Sequence, residues 1–276
     1  MRRWFITSYL LLLAVLTATA VTLFFAEVHP WSAAGLLLAA GSGLAFFVWL
    51  LTFRPPRTSA HPLPVTLGMA AGAVLAMVAD WRYGTAVAWL IPAIFVVLVG
   101  WVVYLRWYSR LPAPHSAPRA GERLPFFTLR DRQGHEVSSA ELAGQPAVLL
   151  FYRGNWCPLC TAQIHEVAGH WQKIAAAGGE LWLISSQSEV ETEKIAARFS
   201  IPARFLRDAG NQAARTLGIE APGAAPAGMA LLGHAKDAAL PAVMVVDREG
   251  VIRYIEIAAN YRLRPAPEAY LGWLAE

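Results

Sequence analysis

The 276-residue chain is 56% hydrophobic and only 15% charged, with a mean hydropathy of +0.41, which excludes an ordinary soluble composition throughout. Its net charge of +4 is unevenly placed: residues 1–120 hold eight arginines and two acids, Glu27 and Asp80, and the remainder holds fifteen basic and seventeen acidic residues. The positive excess flanks apolar runs, so the basic balance does not point to a nucleic-acid partner. Two cysteines three positions apart exclude a framework of structural disulfides.

Four apolar stretches come first, at Trp4–Ala26, Ser32–Phe53, Leu63–Ala79 and Thr85–Leu105. Each has the roughly 17–25 residues that a helix needs to cross a hydrocarbon core. None carries a charge in its interior, and short polar breaks separate them. Trp4, Trp31, Trp81, Trp101, Trp107 and Tyr108 fall mostly near the ends, as an interfacial aromatic belt would. Gly68 and Gly72 form a GxxxG that either admits a neighbouring helix closely or is incidental to a Gly/Ala-rich segment. Residues 1–108 are thus expected to be an all-α four-span transmembrane bundle that attaches the chain to membrane lipid. Arg2-Arg3 followed by an apolar run and Ala18-Thr19-Ala20 also has the outline of a cleavable signal peptide, although the run continues through Val21–Phe25.

With four spans, Arg2, Arg3, Arg54, Arg57, Arg106, Arg110 and Arg119 share one side and Arg82 stands alone on the other. Positive residues stay cytoplasmic, so the C-terminal part is expected to face the cytoplasm, with a periplasmic placement as the alternative. The Arg-rich, Lys-poor usage fits a GC-rich bacterial genome and a multi-pass protein of the bacterial inner membrane. The spans hold no cysteine and no interior acid, Lys or Arg, so they carry neither thiol electrons nor an ion path.

Residues 109–123, with Pro112, Pro114 and Pro118, read as a semi-rigid linker. Beyond it the runs shorten. Pro125–Leu129 reads as a strand with a turn at Asp131–Gly134, and Ala147–Tyr152 as a buried strand. Pro158–Ala177 reads as one helix stopped by Gly178-Gly179. Strands follow at Leu181–Ser185 and Ala203–Leu206, with helices at Val190–Phe199 and Asn211–Leu217. Ala242–Val246 and Val251–Ile257 read as a hairpin, and Pro267–Ala275 as a closing helix. The alternation predicts an α/β domain over residues 124–276, a mixed sheet flanked by helices.

The stretch Leu149-Leu150-Phe151-Tyr152-Arg153-Gly154-Asn155-Trp156-Cys157-Pro158-Leu159-Cys160 resembles the strand-to-helix active-site turn of the thioredoxin superfamily. Phe-Tyr-Arg-Gly ahead of Trp-Cys-Pro-x-Cys is similar to the alkyl hydroperoxide reductase/thiol-specific antioxidant branch, the peroxiredoxin-like proteins. The resemblance extends from about residue 121 to the end. It implies a thioredoxin-like redox domain and a cis-proline at Pro241 that presents backbone to substrate; an ordinary proline at a strand start is the alternative.

The spacing itself supports thiol chemistry. Cys157 falls where a strand ends and a helix begins, so unpaired N–H groups and the positive end of the helix would favour a thiolate there. Pro158 suits the first helical position. Cys160, one turn on, would attack a mixed disulfide formed at Cys157. Arg153 either adds positive potential or is a solvated strand-end residue, and Trp156 either stacks near the sulfur or packs. Peroxiredoxins usually carry Thr or Ser three residues before the attacking Cys, where this chain has Gly154. They also carry an Arg where this chain has Leu240-Pro241. These departures favour thiol-disulfide oxidoreductase activity on thiol or disulfide protein substrates, with hydroperoxide reduction or redox sensing through a membrane partner as alternatives. No cofactor is expected, and a cellular thiol reductant such as thioredoxin or glutathione would restore the dithiol. Cys157, Cys160, His165 and His170 also have the spacing of a zinc knuckle, but on one helix they would point to different sides.

Overall fold

The computed structural model describes residues 2–83, 89–229 and 234–274. The chain divides into two compact units, one of Met1–Arg54 with Thr58–Arg110 and the other of Pro55–Arg57 with Leu111–Glu276.

The first unit is built from α1 (Arg2–Phe25), α2 (Pro30–Phe53), α3 (Leu63–Tyr83) and α4 (Leu90–Val103), the last prolonged by a π-helical turn over Tyr104–Tyr108. Residues 85–88 of the fourth expected span lie outside the described residues. All four are long and apolar enough to cross a membrane by length and composition. Small residues make their closest approach: a Cβ on Gly72 would sit 2.4 Å from the Ala39 nitrogen, and one on Gly35 would sit 2.6 Å from the Ala76 nitrogen. The GxxxG therefore faces α2, with Gly68 against Ser42, and backbone meets backbone there. Two aromatic side chains inside the unit find polar partners. Tyr9 donates to the Val97 carbonyl at 2.9 Å, and the Trp101 indole donates to Thr66 Oγ1 at 2.9 Å. Large apolar side chains such as Leu11, Phe53, Leu67 and Phe95 point outward.

The second unit is the expected mixed sheet flanked by helices, with a thioredoxin-like arrangement. Its strands are β1 (Thr128–Arg130), β2 (Glu136–Ser138), β3 (Ala147–Phe151), β4 (Glu180–Ser185), β5 (Arg204–Arg207), β8 (Ala242–Val246) and β9 (Ile252–Ile257), ordered β2-β1-β5-β4-β3-β8-β9. Two further short strands, β6 (Glu220–Ala221) and β7 (Ala238–Ala239), pair with each other. β3, β4 and β5 are parallel, while β8 runs antiparallel to β3. Every residue of β3 and β8 is buried, as expected for central strands covered on both faces. The core gathers Leu149, Phe151, Trp182, Ile184, Leu206 and Met244.

Helices α5 (Pro158–Ala168), α6 (Trp171–Ala176), α7 (Glu189–Ala196) and α8 (Gln212–Thr216) complete this unit. The single helix expected over Pro158–Ala177 is two. Gly169 ends α5, and His170 leaves helical geometry at φ −98° and ψ 12° with its ring Nδ1 3.0 Å from the Glu166 carbonyl oxygen. The closing helix is instead two 3₁₀ turns, Pro267–Ala269 and Leu271–Leu274, and Ala275 lies outside the described residues. The proline-rich segment is bonded to this unit: Leu111 N–H donates to Ala259 O at 2.8 Å and His115 N–H to Gly218 O at 2.9 Å.

Candidate active site

Strand β3 delivers the site. Tyr152 still bonds the sheet, its N–H donating to Ile184 O at 2.9 Å, and the chain then leaves through Arg153-Gly154. Gly154 has φ +135°, and a Cβ there would meet the Trp156 indole nitrogen at 2.9 Å. A β-branched Thr at this position would be strained. The turn is fastened to α7. Asn155 N–H donates to Gln187 Oε1 at 3.0 Å, and its side-chain amide donates to the Glu191 carbonyl at 2.6 Å. Gln187 in turn donates to the Tyr152 hydroxyl at 3.0 Å.

Cys157 caps α5 in extended geometry (φ −94°, ψ 108°), and Pro158 occupies the first helical position, where its lack of an N–H costs nothing. The N–H groups of Cys160 and Thr161 both donate to the Cys157 carbonyl at 3.1 Å. Both thiols are free and buried, and their sulfurs lie within hydrogen-bonding reach of each other. The site is therefore a reduced dithiol on the first turn of a helix.

The two thiols are electrostatically coupled. The hydrogen bond to Cys160, then burial, push the Cys157 thiol well above its ordinary range. Burial would also raise Cys160, but the bond from Cys157, the guanidinium of Arg264, a backbone hydrogen bond from Arg153 and the Arg153 charge outweigh it and bring Cys160 down to about 6. One sulfur donates to the other, so the two thiols titrate as a pair.

Arg153 is 7% exposed, so it is not a solvated strand-end residue. Its guanidinium donates to Ala224 O and lies 4.5 Å from the Trp156 ring centroid and 5.4 Å from that of Tyr261. Trp156 thus stacks on Arg153. Pro241 is trans, since no peptide bond among the described residues is cis, and this corrects the expected cis-proline. Its carbonyl accepts from Ala258 N–H at 2.9 Å, just beyond the end of the β8–β9 ladder.

Arg264 and Gln163 carried no signal in the sequence. Arg264 follows β9 in an irregular segment, and Gln163 sits one turn beyond Cys160 among ordinary helix formers. The Tyr152 hydroxyl was likewise hidden in a run that reads as apolar. His165 packs its ring 4.5 Å from that of Phe199, and His170 contacts Glu268 at 3.2 Å. Among the described residues no three His, Cys, Asp or Glu side chains are grouped to hold a metal.

Residues 120–255 match the model of the AhpC/TSA family. Over 154 residues the chain is 30% identical to peroxiredoxin Q, chloroplastic, of Oryza sativa subsp. japonica, covering 55% of this chain and 63% of that protein. It is 34% identical over 114 residues to the peroxiredoxin Q of Gentiana triflora, covering 41% and 52% respectively. The chain therefore spans less than two thirds of the length of these curated relatives. The solved structure of peroxidoxin BcpB from Mycobacterium tuberculosis superposes with a TM-score of 0.46 at 18% identity, covering 56% of this chain and 96% of that one. The part of the chain that is similar to AhpC/TSA and peroxiredoxin Q proteins is the part that holds the dithiol.

Proposed function

We propose that the chain is a membrane-anchored, peroxiredoxin-like thiol peroxidase that uses Cys157 and Cys160 as its redox pair. A thiolate of the pair attacks the terminal oxygen of a hydroperoxide, so an S–O bond forms, the O–O bond breaks and the alcohol leaves after taking a proton. The second sulfur displaces hydroxide from the sulfenic acid, giving a disulfide and water. A cellular thiol reductant, one dithiol of the thioredoxin class or two equivalents of a glutathione-class monothiol, then returns two electrons and two protons. The observation that carries this reading is the dithiol at the N-terminal turn of α5, inside the segment that matches the AhpC/TSA family, with two arginines lowering the pKa of its thiolate. That match favours a hydroperoxide over a protein disulfide as the first oxidant.

Residues 1–108 serve as the anchor in this reading, 109–123 as the connection and 124–276 as the redox domain. The arginine bias supports a cytoplasmic face at a bacterial inner membrane. The test is reduction of hydrogen peroxide and of an organic hydroperoxide by full-length protein in detergent, with both Cys→Ser variants and with a mixed disulfide as competing oxidant. Cysteine-dependent peroxide oxidation well above the rate of a free thiol is the expected result. Slow peroxide oxidation beside fast disulfide exchange would instead make the protein a thiol-disulfide oxidoreductase.

A further inference from the structure

Cys157 and Cys160 are 1% and 0% exposed, so an oxidant or a reductant reaches them only where their cover yields. Arg153 joins the pair to that cover. Its backbone hydrogen-bonds Cys160, and its guanidinium meets three separate segments. It lies against Trp156 in the active-site turn and Tyr261 after β9, and it donates to the Ala224 carbonyl in the connection between β6 and β7. The first two contacts are with large rings. The third is with main chain, in a segment, Pro222-Gly223-Ala224-Ala225-Pro226-Ala227-Gly228, that carries no side chain larger than proline.

This segment is lightly fastened. Gly223 and Gly228 stand near its two ends in the left-handed region, at φ +63° and +95°, and a Cβ on either would meet open space. Ala225 and Ala227 are buried, but each contributes a single methyl group and so little apolar area. The firm ties are polar. Gly223 N–H donates to Asp237 Oδ1 at 2.7 Å, Ala225 N–H donates to Lys236 O at 3.1 Å, and Arg153 donates to Ala224 O. Asp237 is fixed in turn to the end of β4, its carbonyl accepting from Ser186 Oγ at 3.1 Å. The next residue, Gln187, holds the active-site turn at Asn155. A short segment with polar ties and a glycine near each end belongs to the low-stability class that opens locally. Its release leaves the β3–β8–β9 ladder and α5 intact, because β6 and β7 pair with each other over only two residues.

We infer that residues 222–228 form a strap over the dithiol, latched by Arg153 and Asp237, and that this strap sets the size of molecule admitted to the sulfurs. Arg153 is then a specificity-determining residue through the carbonyl it holds, apart from the charge it carries. The opening required grows with what must enter. The latched strap therefore admits hydrogen peroxide more readily than a bulky organic hydroperoxide, and either more readily than a protein disulfide. The inference deepens the peroxidase reading and rests on it for the identity of the oxidant alone, since the strap acts on any reagent that seeks the pair.

The test uses reduced full-length protein in detergent and two reagents of one chemistry, N-ethylmaleimide and a maleimide carried on a polymer of protein size. Initial rates of the first modification are measured at a single pH. Both reagents consume the same thiolate, so their rate ratio reports access and cancels any change in ionisation. The parent chain should strongly favour the small reagent. Asp237→Ala removes the acceptor for Gly223, and the large-to-small ratio should rise about 10-fold, the effect of one hydrogen bond to a charged group. Asp237→Asn keeps an acceptor oxygen and should stay within about threefold of the parent. Arg153→Met should raise the ratio at least as far as Asp237→Ala. In the Ala and Met variants, hydrogen exchange across residues 222–229 should quicken while β3 and α5 stay protected. If Asp237→Ala loses protection across β3, Ser186→Ala carries the same test by freeing the Asp237 carbonyl. A ratio unmoved while residues 222–229 exchange faster would overturn the inference, and so would unchanged exchange there in Asp237→Ala. The same proteins are then oxidised with hydrogen peroxide and with cumene hydroperoxide, whose rates should draw closer in Asp237→Ala. No peroxide oxidation in any of them would sink the peroxidase reading and leave the strap to be judged on the maleimide ratio.

Discussion

The two units bury opposite kinds of residue. In the helical unit Gly35, Ala39, Gly72 and Ala76 bring backbone close to backbone, while Leu11, Phe53, Leu67 and Phe95 face outward. In the sheet unit Leu149, Phe151, Trp182 and Met244 fill the interior, and exposed large apolar residues are few, among them Phe126, Val190 and Leu263. Water drives large apolar groups inward, which is the logic of the second unit. Where the surroundings are themselves apolar that drive disappears, and close backbone approach plus satisfied polar groups must hold helices together. The first unit follows that second logic, and its outward apolar surface would be a liability in water.

The sharpest way to break the contrast is a large deletion in the second core. Trp182 is fully buried; its indole donates to Glu180 at 2.6 Å, and Arg204 lies 4.9 Å from its ring. Trp182→Ala is expected to cost about 3–5 kcal/mol through lost contacts and a residual cavity. Segment-resolved hydrogen exchange on the full chain should show faster exchange across β3, β4 and β8, with α1–α4 still protected. Loss of protection in both units together would mean that they do not obey separate packing rules.

The converse test adds volume where the first unit has none. Gly72→Leu places a side chain where a Cβ already meets the Ala39 nitrogen at 2.4 Å, and overpacking of this kind costs about 1–3 kcal/mol or more. Thermal unfolding in detergent should fall while the rate of dithiol alkylation stays unchanged. Equal tolerance of Gly72→Leu and of an outward substitution such as Leu67→Ala would argue against backbone-to-backbone packing of α2 and α3.

These contrasts bear on what could be read before any coordinates. Four apolar runs and the strand–helix alternation were legible because each is a property of ten or more neighbouring residues. The position of the dithiol was legible because strand, proline and cysteine spacing coincide within one short segment. The break between α5 and α6 was not, since it depends on the His170 ring reaching back to the Glu166 carbonyl. Pro241 misled for a similar reason: its role depends on Ala258, just beyond the end of the β8–β9 ladder, claiming its carbonyl. Arg264 was invisible because its meaning lies in what it fails to bond, and two unpaired buried donors have no signature in sequence.

A third prediction concerns a buried carboxylate in the second unit. Asp208 is 1% exposed and accepts from the N–H groups of Ala213 and Ala214, both at 2.9 Å, at the first turn of α8. Asp208→Ala leaves those donors buried and unpaired, with an expected cost of about 2 kcal/mol. Denaturant unfolding should register it, and exchange should quicken locally at α8. Asn, which keeps an acceptor oxygen, should recover part of the loss. The first unit holds only two acids, Glu27 and Asp80.

The smallest expected effect follows from that same imbalance of acids. Asp247 closes the β8–β9 turn: Oδ1 accepts from Glu249 N–H at 3.0 Å and Val251 N–H at 2.8 Å, and Oδ2 pairs with Arg253 at 2.6 Å. Burial would raise its pKa, but these hydrogen bonds and the Arg253 charge outweigh that and hold the carboxyl below the usual range. A carboxylate depressed in the folded state contributes stability that is complete above its unfolded pKa of about 3.9 and is lost as pH falls through the folded value. The contribution is about 1 kcal/mol, because Arg253 is 41% exposed and solvent screens the pair. Unfolding of the second unit should therefore become easier below about pH 4, and Asp247→Asn should lower stability at neutral pH while flattening that acid limb. If the acid limb is identical in Asp247→Asn and the parent chain, other carboxylates carry it and this turn does not. Melting of the helical unit over the same range should move little, which makes acid titration the mildest way to pull the two packing regimes apart.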